Sequence, residues 1–169
     1  MWNYTDEPLA YLITFRTYGT WLHGDQRGSI SRHHNKFNSP KLKHEPNWLE
    51  INKSRLADEP VALNDAQREL VTTAIKETCK IRGWPLLAVN VRTNHAHAVL
   101  TARLKAPGNV LNALKSNATR VLREAGHWSS SRSPWSDKGS TRYLWNDNSV
   151  GTACAYVEYD QGDNMPSFD

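Results

Sequence analysis

The chain has 169 residues and a formal net charge of +4, a length that suits a single domain spanning 1–169. No apolar run approaches the roughly 18–20 residues of a membrane span, and the start, Met1-Trp2-Asn3-Tyr4-Thr5-Asp6-Glu7, lacks the basic-then-apolar pattern of a secretory leader. Two cysteines, Cys79 and Cys154, fall in helix-like stretches, which excludes a disulfide-stapled secreted scaffold and leads us to expect a cytoplasmic protein.

Residues 9–16 are dense in aromatic and β-branched types and predict a strand buried on one face. From Thr17 to Pro60 the periodicity fails, and Gly19, Gly24, Gly28, Pro40 and Pro46 among His, Asn, Ser and Lys mark a long basic insertion. Trp21 and Trp48 within it argue for partial packing onto the domain. Asn64 then offers a helix cap, apolar residues recur at helical spacing from Ala66 to Ile81, and Gly83 closes the helix. Two strands follow, Trp84–Thr93 and His95–Ala102, joined tightly at Asn94. A second helix is predicted from Pro107 to Ala125 with Gly126 as its terminator. His127–Ser140 reads as a Ser-rich loop, Thr141–Trp145 as a short strand, and a last helix runs from a Ser149 cap to about Asp160, ended by Gly162.

Strand-helix-strand-strand-helix-strand is the split, ferredoxin-like (RRM-like) order: an α+β domain with an antiparallel sheet and helices on one face. The last helix is an addition to that plan. Aromatic residues, with seven Trp and six Tyr, are expected to build much of the core.

Charge is unevenly spread. Residues 16–55 hold eight Lys/Arg against three Asp/Glu, residues 103–142 eight against two, and residues 143–169 five acids and no base. Two basic segments around a neutral block suit a surface that meets a polyanion, the plainer alternative being an ordinary solvated surface.

The sharpest local signal is Asn94-His95-Ala96-His97-Ala98. Residues i and i+2 of a strand share a face, so the two imidazoles project together and can share a divalent cation. The alternative is a pair of partly exposed strand histidines. On the last helix, Tyr156 lies one turn before Asp160 and Gln161, which places a phenol near an oxygen ligand; tyrosine serves as a covalent nucleophile when its phenolate is stabilised. Here the alternative is that Tyr156 and Tyr159, three residues apart, are packing residues.

These words together resemble the single-tyrosine HUH transposases, which include REP-associated tyrosine transposases and those of small insertion sequences. The resemblance rests on His95-Ala96-His97, on Lys115 and Ala118-Thr119-Arg120, and on Tyr156-Val157 with Gln161-Gly162. It extends through Tyr18-Gly19-Thr20-Trp21-Leu22, Gly24-Asp25, Arg27-Gly28-Ser29, Arg82-Gly83-Trp84 and the run Gly139 to Trp145. It implies a ferredoxin-like domain that cleaves and rejoins single-stranded DNA, at hairpins, through a 5′-phosphotyrosine intermediate. His95 and His97 match the metal-binding pair, Tyr156 the nucleophile and Gln161 the third ligand. In many members that ligand stands four residues after the tyrosine; here Asp160 does, and it is the alternative to Gln161. The small Ala96 replaces a larger apolar residue.

The resemblance further implies Mg²⁺ or Mn²⁺ as cofactor, no small-molecule cofactor and no membrane, and a nucleoid-associated bacterial protein. Monomer and homodimer both stay open. Arg16, Arg27, Arg32, Lys115, Arg120 and Arg142 are the expected nucleic-acid contacts, and Trp48 or Trp128 are candidates to stack on bases, core packing being the favoured alternative for each. The alternative function is a catalytically silent, domesticated protein that binds DNA or RNA hairpins on the same fold; a weaker one is a metal-dependent phosphodiesterase without a covalent step. Binding to single-stranded DNA is expected to weaken steeply with salt, log K falling against log salt with a slope near −0.7Z for Z phosphates contacted. Affinities across a salt series check this, and a flat dependence contradicts it.

Overall fold

The computed structural model describes residues 7–20 and 59–159. Seven elements follow in order: β1 (Ala10–Thr17), α1 (Asp65–Arg82), β2 (Leu86–Val91), β3 (His95–Leu100), α2 (Pro107–Glu124), β4 (Trp135–Leu144) and α3 (Asp147–Tyr159). The four strands form one antiparallel sheet in the order β2-β3-β1-β4. Most of the segment 17–60 lies outside the described residues, Trp21, Arg27, Arg32 and Trp48 included. Its described ends meet, because the Val61 N–H donates to the Tyr18 carbonyl at 2.8 Å.

The local signals act as expected in α1. The Asn64 side chain accepts from the Gln67 N–H, and the Gln67 side chain accepts in return from the Asn64 N–H, which closes a capping box. Gly83 ends the helix at φ 68°, a left-handed conformation that glycine adopts without a Cβ penalty. Pro107 opens α2 where its missing N–H costs nothing.

Three elements differ from expectation. β1 is buried on both faces: Tyr11, Ile13 and Phe15 pack toward α1 and α2, while Ala10 and Leu12 pack toward α3. Helices therefore cover both sides of the sheet, with α3 alone on the second. β4 begins at Trp135, six residues before the predicted strand, because ladder bonds to β1 override the weak β-propensity of Ser136, Asp137, Lys138 and Gly139. The cap of α3 is Asn146, whose side chain accepts from the Ser149 N–H at 2.8 Å, and Ser149 itself is buried. The expected end of α3 at Asp160 and Gly162 lies outside the described residues.

The core on the α1/α2 side is largely aliphatic. Of the described tryptophans only Trp84 and Trp135 are buried. Trp135 packs edge-on against Phe15 and donates through Nε1 to the Lys115 carbonyl and the Thr119 hydroxyl, which ties β4 to α2. Cys79 and Cys154 are free thiols. No described helix is long and apolar enough to cross a membrane.

Gly139 pairs with Phe15 on β1 and lets Leu111 of α2 close onto the sheet. A Cβ there would stand 2.5 Å from the Thr14 carbonyl oxygen and 2.9 Å from Leu111 Cδ2. Backbone in mid-sheet cannot move aside cheaply. Gly139→Ala is therefore expected to destabilise by about 1–3 kcal/mol, although alanine elsewhere suits a strand better than glycine. The midpoint of urea unfolding measures it.

Candidate functional site

Directly opposed residues in an antiparallel pair share a face, so the ladders determine what meets on the side covered by α3. Thr14 stands opposite His97, and Arg16 opposite His95. Asn90 of β2 stands opposite His97 from the other side, and Arg142 of β4 opposite Leu12. One face of the sheet thus carries Thr14, Arg16, Asn90, His95, His97 and Arg142.

The two imidazoles meet edge-on with centroids 4.7 Å apart. They are not equally exposed. His95 is half-buried, whereas His97 is 2% exposed and its Nδ1 lies 2.7 Å from Thr14 Oγ1 inside the sheet. The alternative reading, a pair of partly exposed strand histidines, fits His95 alone, because α3 covers His97. His95 Nδ1 lies 2.6 Å from Asn94 Oδ1. In both rings Nδ1 makes a hydrogen bond within the protein, which orients the ring and makes Nε2 the candidate ligand atom.

Burial, reinforced by the positive charges of His95, Arg16 and Arg92, pushes the His97 pKa down to about 3. His97 is a neutral imidazole across the physiological range, the protonation state that ligates metal.

Helix α3 brings Tyr156 onto this face. Its ring centroid is 5.4 Å from that of His97, and it is 7% exposed. Tyr159, three residues on, is 83% exposed. The helix is tied down beside Tyr156, because Asn90 Nδ2 donates to the Val157 carbonyl at 3.0 Å. His95, His97 and Tyr156 are therefore brought together, and Arg16 with them.

Other expected contacts lie elsewhere. Lys115 and Arg120 are on α2, across the sheet. Lys115 Nζ donates to the Ser136 carbonyl at 2.7 Å, and burial lowers its pKa. Arg120 is held by Glu77 and Glu124. Trp128 is partly buried against the core and donates through Nε1 to the Arg132 carbonyl. Arg27, Arg32, Asp160 and Gln161 are outside the described residues. Among the described residues no group of three or more His, Cys, Asp or Glu is arranged to hold a metal, so the histidine pair needs a further ligand of another kind or from elsewhere in the chain.

Sequence reading missed Thr14, Asn90 and Arg92. The available signal was parity: a polar residue within an apolar strand, in step with Arg16 on β1 and repeated as Asn90 at the end of β2 and Arg92 just after it.

Residues 58–160 match the model of the family described as "Transposase IS200 like". The chain belongs to the IS200-like transposase family. The matched region holds both histidines and Tyr156, and leaves β1 outside. A solved REP-associated tyrosine transposase bound to a REP hairpin is similar, with a TM-score of 0.52 and 10% identity over 93% of this chain and 68% of that one. So is a candidate transposase from Deinococcus radiodurans R1, with a TM-score of 0.50 and 13% identity over 95% of each chain. At such identities the likeness shows the shared α+β fold. No curated protein matches the sequence.

The neutral, buried His97 gives this transposase domain a pH signature. The unfolded chain takes up a proton at His97 near pH 6.5 and the folded protein only near pH 3. Below pH 6.5 the unfolded state holds the extra proton, so His97 withdraws stability as pH falls, by at most about 1.4 kcal/mol per pH unit. His97→Gln is expected to be less stable than wild type at pH 7, with the gap narrowing between pH 6.5 and 4. Thermal midpoints of both proteins test this, and a constant gap contradicts it.

Proposed function

We propose that the chain cleaves and rejoins single-stranded DNA at hairpins with Tyr156 as the nucleophile. The observation that carries the reading is the contact of Tyr156 with His97, on a face that also presents His95 and Arg16. Family membership and a structural relative bound to a REP hairpin support it.

Two oriented imidazoles, at least one of them neutral, with Gln161 or Asp160 as the third ligand, would hold a divalent cation, and the family points to Mg²⁺ or Mn²⁺. For His97 Nε2 to offer its lone pair, Nδ1 must keep its proton and donate to Thr14 Oγ1. A cation held there would polarise the scissile phosphate and favour in-line attack.

The chain's own residues supply the rest. Arg16 and Arg92 add positive charge next to the imidazoles, where a phosphate is to sit. Asn90 and the packing of Val157 hold α3 so that the phenol faces the sheet. Tyr156 Oη loses its proton and bonds to phosphorus, the bond from phosphorus to the 3′ oxygen breaks, and that oxygen leaves as a protonated 3′-hydroxyl. The 5′-phosphotyrosine conserves the phosphodiester bond, so the 3′-hydroxyl of another strand can reverse the step and rejoin without a nucleotide cofactor.

Tyr156→Phe keeps the ring and removes the nucleophile. It is expected to give no covalent adduct on hairpin-bearing single strands with Mn²⁺, while hairpin affinity changes less than about fivefold because phosphate contacts remain. Tyr159→Phe is expected to cleave as wild type does. His95→Ala is expected to lose cleavage with a stability change within about 1 kcal/mol, as suits a half-buried site. Denaturing gels of labelled DNA read the adduct directly. Cleavage by Tyr156→Phe would move the nucleophile elsewhere, and a wild type that binds hairpins but forms no adduct with any hairpin or metal would establish a hairpin-binding protein instead.

A further inference from the structure

Among the described strands β4 is an edge of the sheet, and its far end carries aromatic surface that the core does not use. Tyr143 is 47% exposed and Trp145 55% exposed. Their rings lie 5.7 Å apart and within 15° of parallel, an offset stack. Tyr143 is held in place by Tyr11, which meets it edge-on at 5.5 Å from the neighbouring strand.

The same Tyr11 governs a basic turn. Its hydroxyl donates to the carbonyls of Arg103 (3.2 Å) and Lys105 (2.9 Å), just after β3. Arg103 sits at φ 47°, the one non-glycine residue with positive φ among those described. That conformation is costly for an arginine. Tyr11 thus joins this turn, whose two cationic side chains are exposed, to the half-exposed rings on β4.

We propose that Tyr143 and Trp145 are a stacking platform for an unpaired base of single-stranded DNA, with Arg103 and Lys105 meeting the adjoining phosphates. The inference rests on the reading of the chain as a protein that handles single-stranded DNA, and adds a contact outside the cleavage site. Stacked aromatics flanked by cations are how proteins hold single strands with little sequence preference. Among the described residues the patch is small, with Leu9, bonded to the Leu144 carbonyl, and Leu104, between Arg103 and Lys105, the exposed apolar residues beside it. A stable protein interface needs upward of about 1,000 Å² with an extended apolar centre.

Topology relates the platform to the cleavage site. Tyr143 pairs with Tyr11 and faces the α1/α2 side, whereas His97 pairs with Thr14 and faces α3. The two positions are on opposite faces, on the strands either side of β1, and are offset by about 10 Å along the strands and about 10 Å across them. A DNA strand reaches from one to the other around β4, the edge among the described strands, where Arg142 is exposed on the α3 face. The platform therefore takes a base flanking the cleaved step and should govern affinity more than the chemical step.

The test uses the whole chain with two probes at one salt concentration: a twelve-residue oligothymidylate, and a strand of the same length made of abasic sites. Wild type is expected to prefer the oligothymidylate. Trp145→Ala should lose at least about fivefold on it, lose nothing on the abasic strand, and keep the salt slope. Trp145→Phe should restore most of the affinity, and Arg103→Gln should lower affinity for both probes and flatten the slope. Equal affinity of Trp145→Ala and wild type for the oligothymidylate would overturn the platform, as would an equal loss on both probes. A loss of self-association in Trp145→Ala with unchanged DNA binding would assign the patch to a second copy of the chain and overturn it too. A wild type that never forms an adduct yet shows the base-dependent preference would defeat the nucleophile reading and leave the platform standing.

Discussion

The register between β1 and β3 is the constraint on which the rest of the molecule depends. It sets Thr14 against His97 and Arg16 against His95, and sends Ile13, Phe15, Ala96 and Ala98 to the opposite face. A slip of one residue would turn both histidines into the α1/α2 core and carry apolar side chains toward Tyr156. Both faces of β1 are buried, so such a slip is penalised twice: by polar groups desolvated on one side and by apolar groups lost on the other. The hydrogen bond between Thr14 and His97 belongs to this lock. It satisfies a buried imidazole nitrogen with a partner that only the correct pairing supplies.

The electrostatics of the site follow from that placement. A buried histidine close to His95, Arg16 and Arg92 is kept neutral by desolvation first and by like charge second. The face therefore combines an uncharged imidazole, suited to ligation, with fixed guanidinium charge, suited to phosphate. Helix α3 completes it. The Ala153, Tyr156 and Val157 side chains pack on Leu12, Ala88 and Val99, so the hydrophobic contact that holds the helix also delivers the phenol to His97.

The two faces of the sheet divide the basic residues. Lys115 and Arg120, cationic in sequence, are largely occupied within the fold, by the Ser136 carbonyl and by Glu77 and Glu124. Positive charge facing the histidines comes instead from Arg16 and Arg92. The net charge of a segment thus says that cations are present. Whether they meet a phosphate or a neighbouring carboxylate depends on the helix faces they occupy.

Much of this was legible in one dimension. Capping by Asn64 and Gln67, termination at Gly83 and Gly126, and the same-face placement of His95 and His97 all follow from interactions within a few residues, and the sequence by itself determined them. The element order limited the architecture in the same way. Tertiary structure alone decided what depends on distant partners. β4 extends back to Trp135 only because β1 lends it a ladder, and β1 is buried twice only because α3 returns to the second face. Tyr156 and Tyr159 are equivalent by spacing along a helix; packing turned one to His97 and the other to solvent. Local hydrogen bonds and strand parity are written in neighbouring residues, whereas burial is a property of the contacts that the whole chain makes when it closes.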